Sequence, residues 1–393
     1  MQIVRIETIP VRVPIKPELA IRSGRGGSHT VSPFMLVKIH TNEGTIGFGE
    51  ASCTPRWSGE DQVTAAHFVD EYFAPLLIDE TVDDVARLNS KFTSCVAGNF
   101  FTKAAVEMAL WDIAGKATGK PVWQLLSQGS RQPPSAVASP ADVTRSVPAR
   151  LVVPIKWSVS GVEPAKAAEI ARWAVAQGFS AMKVKVGIDP EDDVARVRAV
   201  REAVGDGVKL GVDANGGWLT PQIAIEMINR IYHECGIYFA EQPLPAGDHD
   251  ALAEVRRDVS VPIIADESVY TLADAKMLAR VGAADVFSIY IGKAGGIGLA
   301  REIAEFAQSA GIQCTIGSNL ELGVGSAAMM QFAASAPGID ADAYPCDIIG
   351  PLFYEDDVLT EPLRLGGGFA QLTDRPGLGI ELDEEKVVKY RVQ

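Results

Sequence analysis

From about residue 150 to 350 the chain repeats one unit, a short apolar run followed by an amphipathic helical stretch, and this repeat constrains the fold more than any other feature. The runs are LVVPIKWSV, AMKVKVG, VKLGVDAN, GIYFAEQP, VPIIADES, DVFSIYIGK and IQCTIGSN. Between them lie PAKAAEIARWAVAQG, DDVARVRAVREAVG, TPQIAIEMINRIYHEC and LADAKMLARVGA. A strand covered by helices on both faces reads as a continuous apolar run, whereas a half-solvated strand alternates. Seven or eight such units with right-handed crossovers predict an α/β fold built as a closed parallel barrel. An open, doubly wound sheet is the alternative.

Charge at the ends of the runs favours the barrel. Asp213, Glu241 and Asp266 end three successive runs, at intervals of 28 and 25 residues, about one strand, one helix and two loops. Lys183 and Lys185 lie one unit earlier, and Lys293 follows Asp266 by 27 residues. In a closed barrel the carboxyl ends of adjacent strands converge on one mouth, and only a closed ring brings five of them together. Taken singly, an acid at a strand end is ordinarily a helix cap or a loop residue. Five charged residues in register at five consecutive strand ends are poorly explained as caps.

Three gathered carboxylates repel one another unless a cation sits among them. A hard divalent ion takes oxygen ligands, and Mg²⁺ takes few carboxylates, keeping positions for water and substrate oxygens. Asp213, Glu241 and Asp266 therefore read as metal ligands that leave room for a substrate carboxylate, whose dianion a metal stabilises when the α-proton leaves. Lysine acts as a base only where its pKa falls, and a cation or a neighbouring ammonium lowers it. Lys185 and Lys293, on opposite sides of the ring, would then address opposite faces of one α-carbon.

The remaining sequence bounds this reading. The 393 residues exceed one ordinary compact domain and suit a large barrel with a smaller partner. With 50 acidic against 36 basic residues the formal charge is −14, which argues against a nucleic-acid or anionic-membrane partner. Five scattered cysteines without CxxC spacing suit a reducing compartment. The start, MQIVRIETIPVRVPI, alternates like a strand, and no run of 18 apolar residues suggests a membrane span. A cytoplasmic location is expected.

Residues 1 to about 50 alternate as a β-meander with a turn at Asn42-Glu43-Gly44, and KPELAIRSGRGGSHT interrupts it as a mobile loop. Residues from about 60 to 127 turn helical, and TKAAVEMALWDIAGKATG ends in glycines with Pro121 beyond. The expected division is an α+β capping domain at 1–130, a barrel at 131–352, and a C-terminal segment at 353–393 packing back on the capping domain.

With these pieces in view the chain resembles the enolase superfamily, in its muconate-lactonizing (muconate cycloisomerase) subgroup. The resemblance rests on K-V-K at 183–185, D-A-N at 213–215, E-Q-P at 241–243, D-E-S at 266–268 and K-A-G-G at 293–296. AGNFFTKAAVEMALWDIAGK and the tail GPLFYEDDV to PGLGIELDE extend it over nearly the whole chain. It implies an α+β cap over a modified TIM barrel, (β/α)₇β, and a divalent metal, Mg²⁺ or Mn²⁺. It also implies Asp213, Glu241 and Asp266 as metal ligands and Lys185 and Lys293 as the acid/base pair. Lys183 would neutralise the substrate carboxylate, Glu321 would border the site after the seventh strand, and the family's habit is a symmetric homo-oligomer.

Departures narrow the chemistry. Mandelate-racemase-like relatives place a His after the seventh strand, and CTIGSNLELGVG has none. Dipeptide epimerases carry Asp-x-Asp near the eighth strand, where this chain has Asp347-Ile348-Ile349. Muconate enzymes share the following Gly350-Pro351-Leu352 but carry Glu where Asp347 stands. Lys156, at the first strand end, reads either as a solvated lysine or as a contact for a second carboxylate. Tyr290 reads as a packed ring. Arg22, Arg25, His29, Arg56 and Trp57 fall where the family's lid residues lie. GKAGGIG lacks the G-x-G-x-x-G spacing of a phosphate loop. His40, His67, His233 and His249 show no metal spacing.

The expectation is a metal-dependent isomerase or lyase that stabilises an enolate of a small-molecule carboxylate, with a muconate-type cycloisomerase first. The alternatives are an N-acyl amino acid or dipeptide racemase/epimerase, a succinylbenzoate-synthase-like dehydratase, and a catalytically silent relative used as a binding protein.

Overall fold

Strands β1 (Ile3–Pro14), β2 (Val31–Thr41) and β3 (Ile46–Ser52) form an antiparallel meander in the computed structural model, which describes residues 1–19, 22, 30–128 and 151–392. The β2–β3 turn closes through Gly44 at φ 82°, a left-handed conformation that glycine adopts without a Cβ clash. Gly47 and Gly49 serve close approach. A Cβ at Gly47 would lie 2.1 Å from Ala109 O, and one at Gly49 only 1.8 Å from Ala105 O. Helix Phe100–Thr118 therefore lies directly on the β3 backbone, buried almost all round from Phe101 to Gly115. It ends at Gly119, whose φ of 66° reverses the chain ahead of Pro121.

Strands β4 (Val152–Pro154) and β5 (Trp157–Val159) open the second layer. From β5 the chain runs through β6 (Ala181–Lys185), β7 (Lys209–Asp213), β8 (Ala240–Glu241), β9 (Ile263–Ala265), β10 (Val286–Ile289) and β11 (Gln313–Ile316). These seven strands are parallel and hydrogen-bonded in sequence order. An eighth segment closes the ring. Cys346 N donates to Pro154 O at 2.9 Å, Lys156 N to Cys346 O at 3.0 Å, and Asp347 N to Ile316 O at 2.8 Å. The fold is thus (β/α)₇β, and the open-sheet alternative falls.

Four of the helices that follow the strands are started by local capping residues. Asp189, Thr220, Asp248 and Thr271 are N-caps whose side chains accept first-turn N–H groups, and Pro190 and Pro221 occupy the first helical position. Each such cap contributes about 1 kcal/mol. Val184, Val212, Ile263, Phe287 and Ile316 are fully buried between strands and helices, each worth roughly 1.5–3 kcal/mol.

The meander layer and the barrel are joined by buried acids that take the N-termini of barrel helices. Glu107 accepts from Ile297 N and Gly298 N, at the start of helix Ile297–Ser309. Glu50 accepts from Leu322 N at 2.7 Å and Gly325 N at 2.8 Å, at the start of helix Gly323–Ala333. Burial pushes the Glu50 carboxyl up to about 8 and that of Glu107 up to about 7.

Strand β13 (Phe369–Gln371) pairs with both β12 (Arg364–Gly366) and β4 beside the barrel. The chain then returns to the meander. Leu378 N donates to Asp112 Oδ1 at 2.8 Å, Lys38 pairs with Glu384 at 2.6 Å, and Val392 N donates to Pro10 O at 2.9 Å. The expected 130/131 boundary, Arg25, His29 and most of the interrupting loop lie outside the described residues. All five cysteines are free, and no described helix is long and apolar enough to cross a membrane.

Candidate active site

Lys183 and Lys185 are two apart on β6, so both side chains point into the barrel while Met182 and Val184 point outward into apolar packing. Parallel register then sets neighbours on one level. Lys185 pairs with Asp213 on β7, and Asp213 with Glu241 on β8. Asp266 follows β9 directly. Unlike the acids that begin the helices, none of these three caps one.

The lysines are threaded among the carboxylates. Lys183 Nζ lies 2.7 Å from Glu241 Oε1, 2.9 Å from Asp347 Oδ2 and 3.1 Å from Asp213 Oδ2. Lys185 Nζ donates to Asp213 Oδ2 at 2.6 Å and to Asn215 Oδ1 at 2.9 Å. Lys293 Nζ donates to Asp266 Oδ1 at 2.5 Å, Asp266 O at 2.6 Å and Ser288 O at 2.9 Å. Lys293 sits in a one-turn helix, Ile291–Ala294, that follows β10, so the turn and not the strand end presents it. Three strands carrying the acids separate the two proposed acid/base lysines. Lys185 is the more open, at 15% exposed against 1% for Lys293.

Burial and charge act in opposite directions here. Burial pushes Glu241 up to about 8, with Asp213 and Asp266 adding to the rise and Lys183 opposing it. Asp213 resists the same burial because Lys185 and Lys183 hold it well below the carboxylate range. Burial disfavours the Lys183 ammonium, yet Asp347, Glu241 and Asp213 outweigh it and raise the lysine. Glu241 Oε2 is buried without a hydrogen-bond partner. Among the described residues no three His, Cys, Asp or Glu side chains are already gathered as a set that could hold a metal ion.

The residues that follow the acids in these motifs include positioning groups that a reading focused on charge passes over. Asn215 receives Lys185 and donates to Glu267 Oε1 at 3.1 Å. Gln242 Oε1 accepts from Asp266 N at 2.9 Å and Ser268 N at 3.2 Å, fixing the turn that carries Asp266. Asn215 and Gln242 hold φ of 45° and 36°, strained values of a kind that cluster at functional sites. Glu267 is buried, its Oε2 lacks a partner, and burial with Asp266 and Asp213 beside it pushes it up to about 7.

One residue departs from expectation and a second has a further contact. Lys156 does not stand at a strand's carboxyl end. It precedes β5, is 1% exposed, donates to Pro345 O at 2.6 Å, and lies 3.2 Å from Asp347 Oδ1 at the barrel seam. Apolar neighbours on both sides bury it there, in contact with the eighth segment. Tyr290 is packed, as expected, and is also part of the mouth, because its hydroxyl donates to Asp266 Oδ2 at 2.7 Å. Glu321 turns back on its own loop, accepting from Ser318 Oγ at 2.5 Å and Asn319 N at 3.2 Å. From the meander layer, Thr54 Oγ1 accepts from Asn319 Nδ2 at 2.6 Å and Trp57 stacks on Tyr290 at 5.3 Å. Arg22 is exposed, with its backbone tied to Ser160 and Gly161.

An α+β layer over a (β/α)₇β barrel, with acids on three adjacent strand ends between two lysines, defines an enzyme of the enolase superfamily. Residues 5–127 match the family described as mandelate racemase / muconate lactonizing enzyme, N-terminal domain, and residues 165–386 match the enolase C-terminal domain-like family. The chain belongs to the mandelate racemase / muconate lactonizing enzyme family of that superfamily. It is 34% identical to muconate cycloisomerase 1 of Rhodococcus opacus over 98% of both chains. It is similar to the crystal structure of N-succinyl Arg/Lys racemase from Bacillus cereus, at TM-score 0.89 and 30% identity, covering 100% of this chain and 99% of that one. A dipeptide epimerase from Enterococcus faecalis, solved with Mg and the dipeptide L-Leu-L-Tyr, matches at TM-score 0.86 and 28% identity over 97% of this chain and 100% of that one.

Proposed function

We propose that this protein is a divalent-metal-dependent isomerase of a small carboxylate, of the muconate cycloisomerase type. The observation that carries the reading is the placement of Lys185 and Lys293 on opposite sides of the acids, each held on a different one, Asp213 and Asp266. Asp213, Glu241 and Asp266 would hold Mg²⁺ or Mn²⁺. Their all-oxygen donor set and the buried Oε2 of Glu241, which has no hydrogen-bond partner, fit a hard divalent ion. When bound, the ion would supply positive charge to the substrate carboxylate as it gains electron density.

Formal charge supports the same assignment. Five buried or half-buried acids, Asp213, Glu241, Asp266, Glu267 and Asp347, face four ammonium groups, Lys156, Lys183, Lys185 and Lys293, which leaves −1. A divalent cation brings this to +1, so the loaded site favours an anionic substrate. Lys183 spreads its charge over Glu241, Asp347 and Asp213 and would steady the carboxylate end of the substrate. In cycloisomerisation the distal carboxylate forms a C–O bond to the diene, the π electrons move toward the α-carbon, and Lys185 delivers the proton that carbon takes. Lys293, on the other face, stabilises charge there. Asp347 is already engaged by Lys156 and Lys183, which argues against its use for a substrate ammonium and so against dipeptides.

The second reading is racemisation of an N-acyl amino acid. It is favoured by the presence of both lysines, one able to take the α-proton and the other to return one on the opposite face. Incubating the Mg²⁺-loaded protein in D₂O with muconates, N-acyl amino acids and dipeptides tests both. Lactone formation with one deuterium added supports the cycloisomerase, and α-deuterium in both stereoisomers of an N-acyl amino acid overturns it. A cytoplasmic, homo-oligomeric protein completes the proposal, consistent with five free cysteines.

A further inference from the structure

Tyr290 is 4% exposed and touches three parts of the molecule at once. Its hydroxyl donates to Asp266 Oδ2 at 2.7 Å, while Lys293 takes the other oxygen, Oδ1, at 2.5 Å. Its ring lies 4.3 Å below the Lys293 ammonium, within cation–π range. The ring's other partner is Trp57, stacked at 5.3 Å with only 13° between planes. Trp57 comes from the meander layer, from the segment that Thr54 anchors to Asn319. The seat for the ring is built. A Cβ at Gly317 would fall 1.9 Å from Tyr290 Cε1, so the position after β11 admits the ring only because it is glycine.

Tyr290 combines a hydrogen bond to Asp266 with ring contacts to both Lys293 and Trp57. We propose that Tyr290 is a positioning residue that fixes the Asp266 carboxylate and the Lys293 ammonium in one arrangement and couples it to the seating of Trp57. The inference deepens the metal reading and rests on Asp266 being a metal ligand. A carboxylate whose two oxygens are oriented by separate donors presents its free lone pairs in one direction. Hydrogen-bond partners of that kind typically change metal affinity by about 10–100-fold when removed. Coupling to Trp57 follows from the stack, because a rotation of the ring that releases Asp266 also breaks the parallel contact.

The test is a Mg²⁺ titration of the full chain followed by tryptophan emission and, in parallel, by calorimetry. Tyr290→Phe keeps the ring, the stack and the cation–π contact and deletes only the O–H. Trp57→Phe identifies the Trp57 signal by difference. Expected are a Mg²⁺-dependent emission change in the parent protein, its loss in Trp57→Phe, and a midpoint raised about tenfold in Tyr290→Phe with an unaltered circular dichroism spectrum. A parent-like calorimetric Kd in Tyr290→Phe overturns the positioning role, and a Mg²⁺-insensitive Trp57 overturns the coupling. Asp266→Asn separates the two levels. If that variant binds Mg²⁺ as the parent does, the metal reading of Asp266 fails; if it loses Mg²⁺ while Tyr290→Phe does not, the Tyr290 proposal alone fails.

Discussion

Lys183 Nζ lies 2.7 Å from Glu241 Oε1, while the other oxygen of that carboxylate, Oε2, is buried with no partner. One ammonium therefore compensates several acids incompletely, and the site is stable only while it does so. Replacing Lys183 by Met removes the charge at similar bulk and leaves Glu241 without its ammonium partner, beside Asp213 and Asp347 that keep only Lys185 and Lys156. Breaking a buried pair from one side costs about 3–5 kcal/mol. Urea unfolding in chelator should show a loss of that size, partly restored by saturating Mg²⁺. An unchanged midpoint would mean that the acids are not held by Lys183.

Lys156 separates a structural lysine from a substrate contact. It joins β5 to the eighth segment through Pro345 O and Asp347, fully buried. Lys156→Met is expected to lower stability by roughly 3 kcal/mol, with KM on the turned-over substrate within about twofold of the parent. An intact melting temperature with a KM raised about tenfold would assign Lys156 to the substrate after all.

Glu107 gives a pH dependence with a definite sign. Its carboxyl is pushed up to about 7 in the fold from an ordinary 4.5 by burial, against the donors Gly298 N and Ile297 N. The folded state holds the proton over a range in which the unfolded chain has lost it. The resulting stability is complete below about pH 4.5 and is lost as pH rises through about 7. Melting temperature should fall between about pH 5 and about pH 8, and Glu107→Gln should flatten that fall. Glu50, pushed up to about 8, leaves a residual slope in the variant. Equal slopes in the two proteins would remove Glu107 from the account.

Much of the barrel is legible in the sequence because its rules are local. Apolar runs mark strands covered on both faces, and Asp189-Pro190 and Thr220-Pro221 announce helix starts by capping chemistry. The acids at 213, 241 and 266 stand out because no helix begins on them. The uses of Asn215, Gln242 and Glu267 are not legible, since neutral or neighbouring residues acquire a role only when adjacent strands are brought into register. Lys156 misleads for a related reason. Its run, LVVPIKWSV, bends at Pro154 and is shared by two sheets, β4 with the C-terminal hairpin and β5 with the barrel. Tyr290 carries its clue three positions before Lys293, but its meaning depends on Gly317 and Trp57, which are distant in sequence.

The central claim is that Lys185 moves the proton at the substrate's α-carbon. The direct measurement is steady-state turnover of Lys185→Ala, on the substrate found in the D₂O panel, with Mg²⁺ affinity measured on the same sample. A loss of about 10²–10⁴-fold in kcat with Mg²⁺ still bound is expected. Undiminished turnover by Lys185→Ala would contradict the claim.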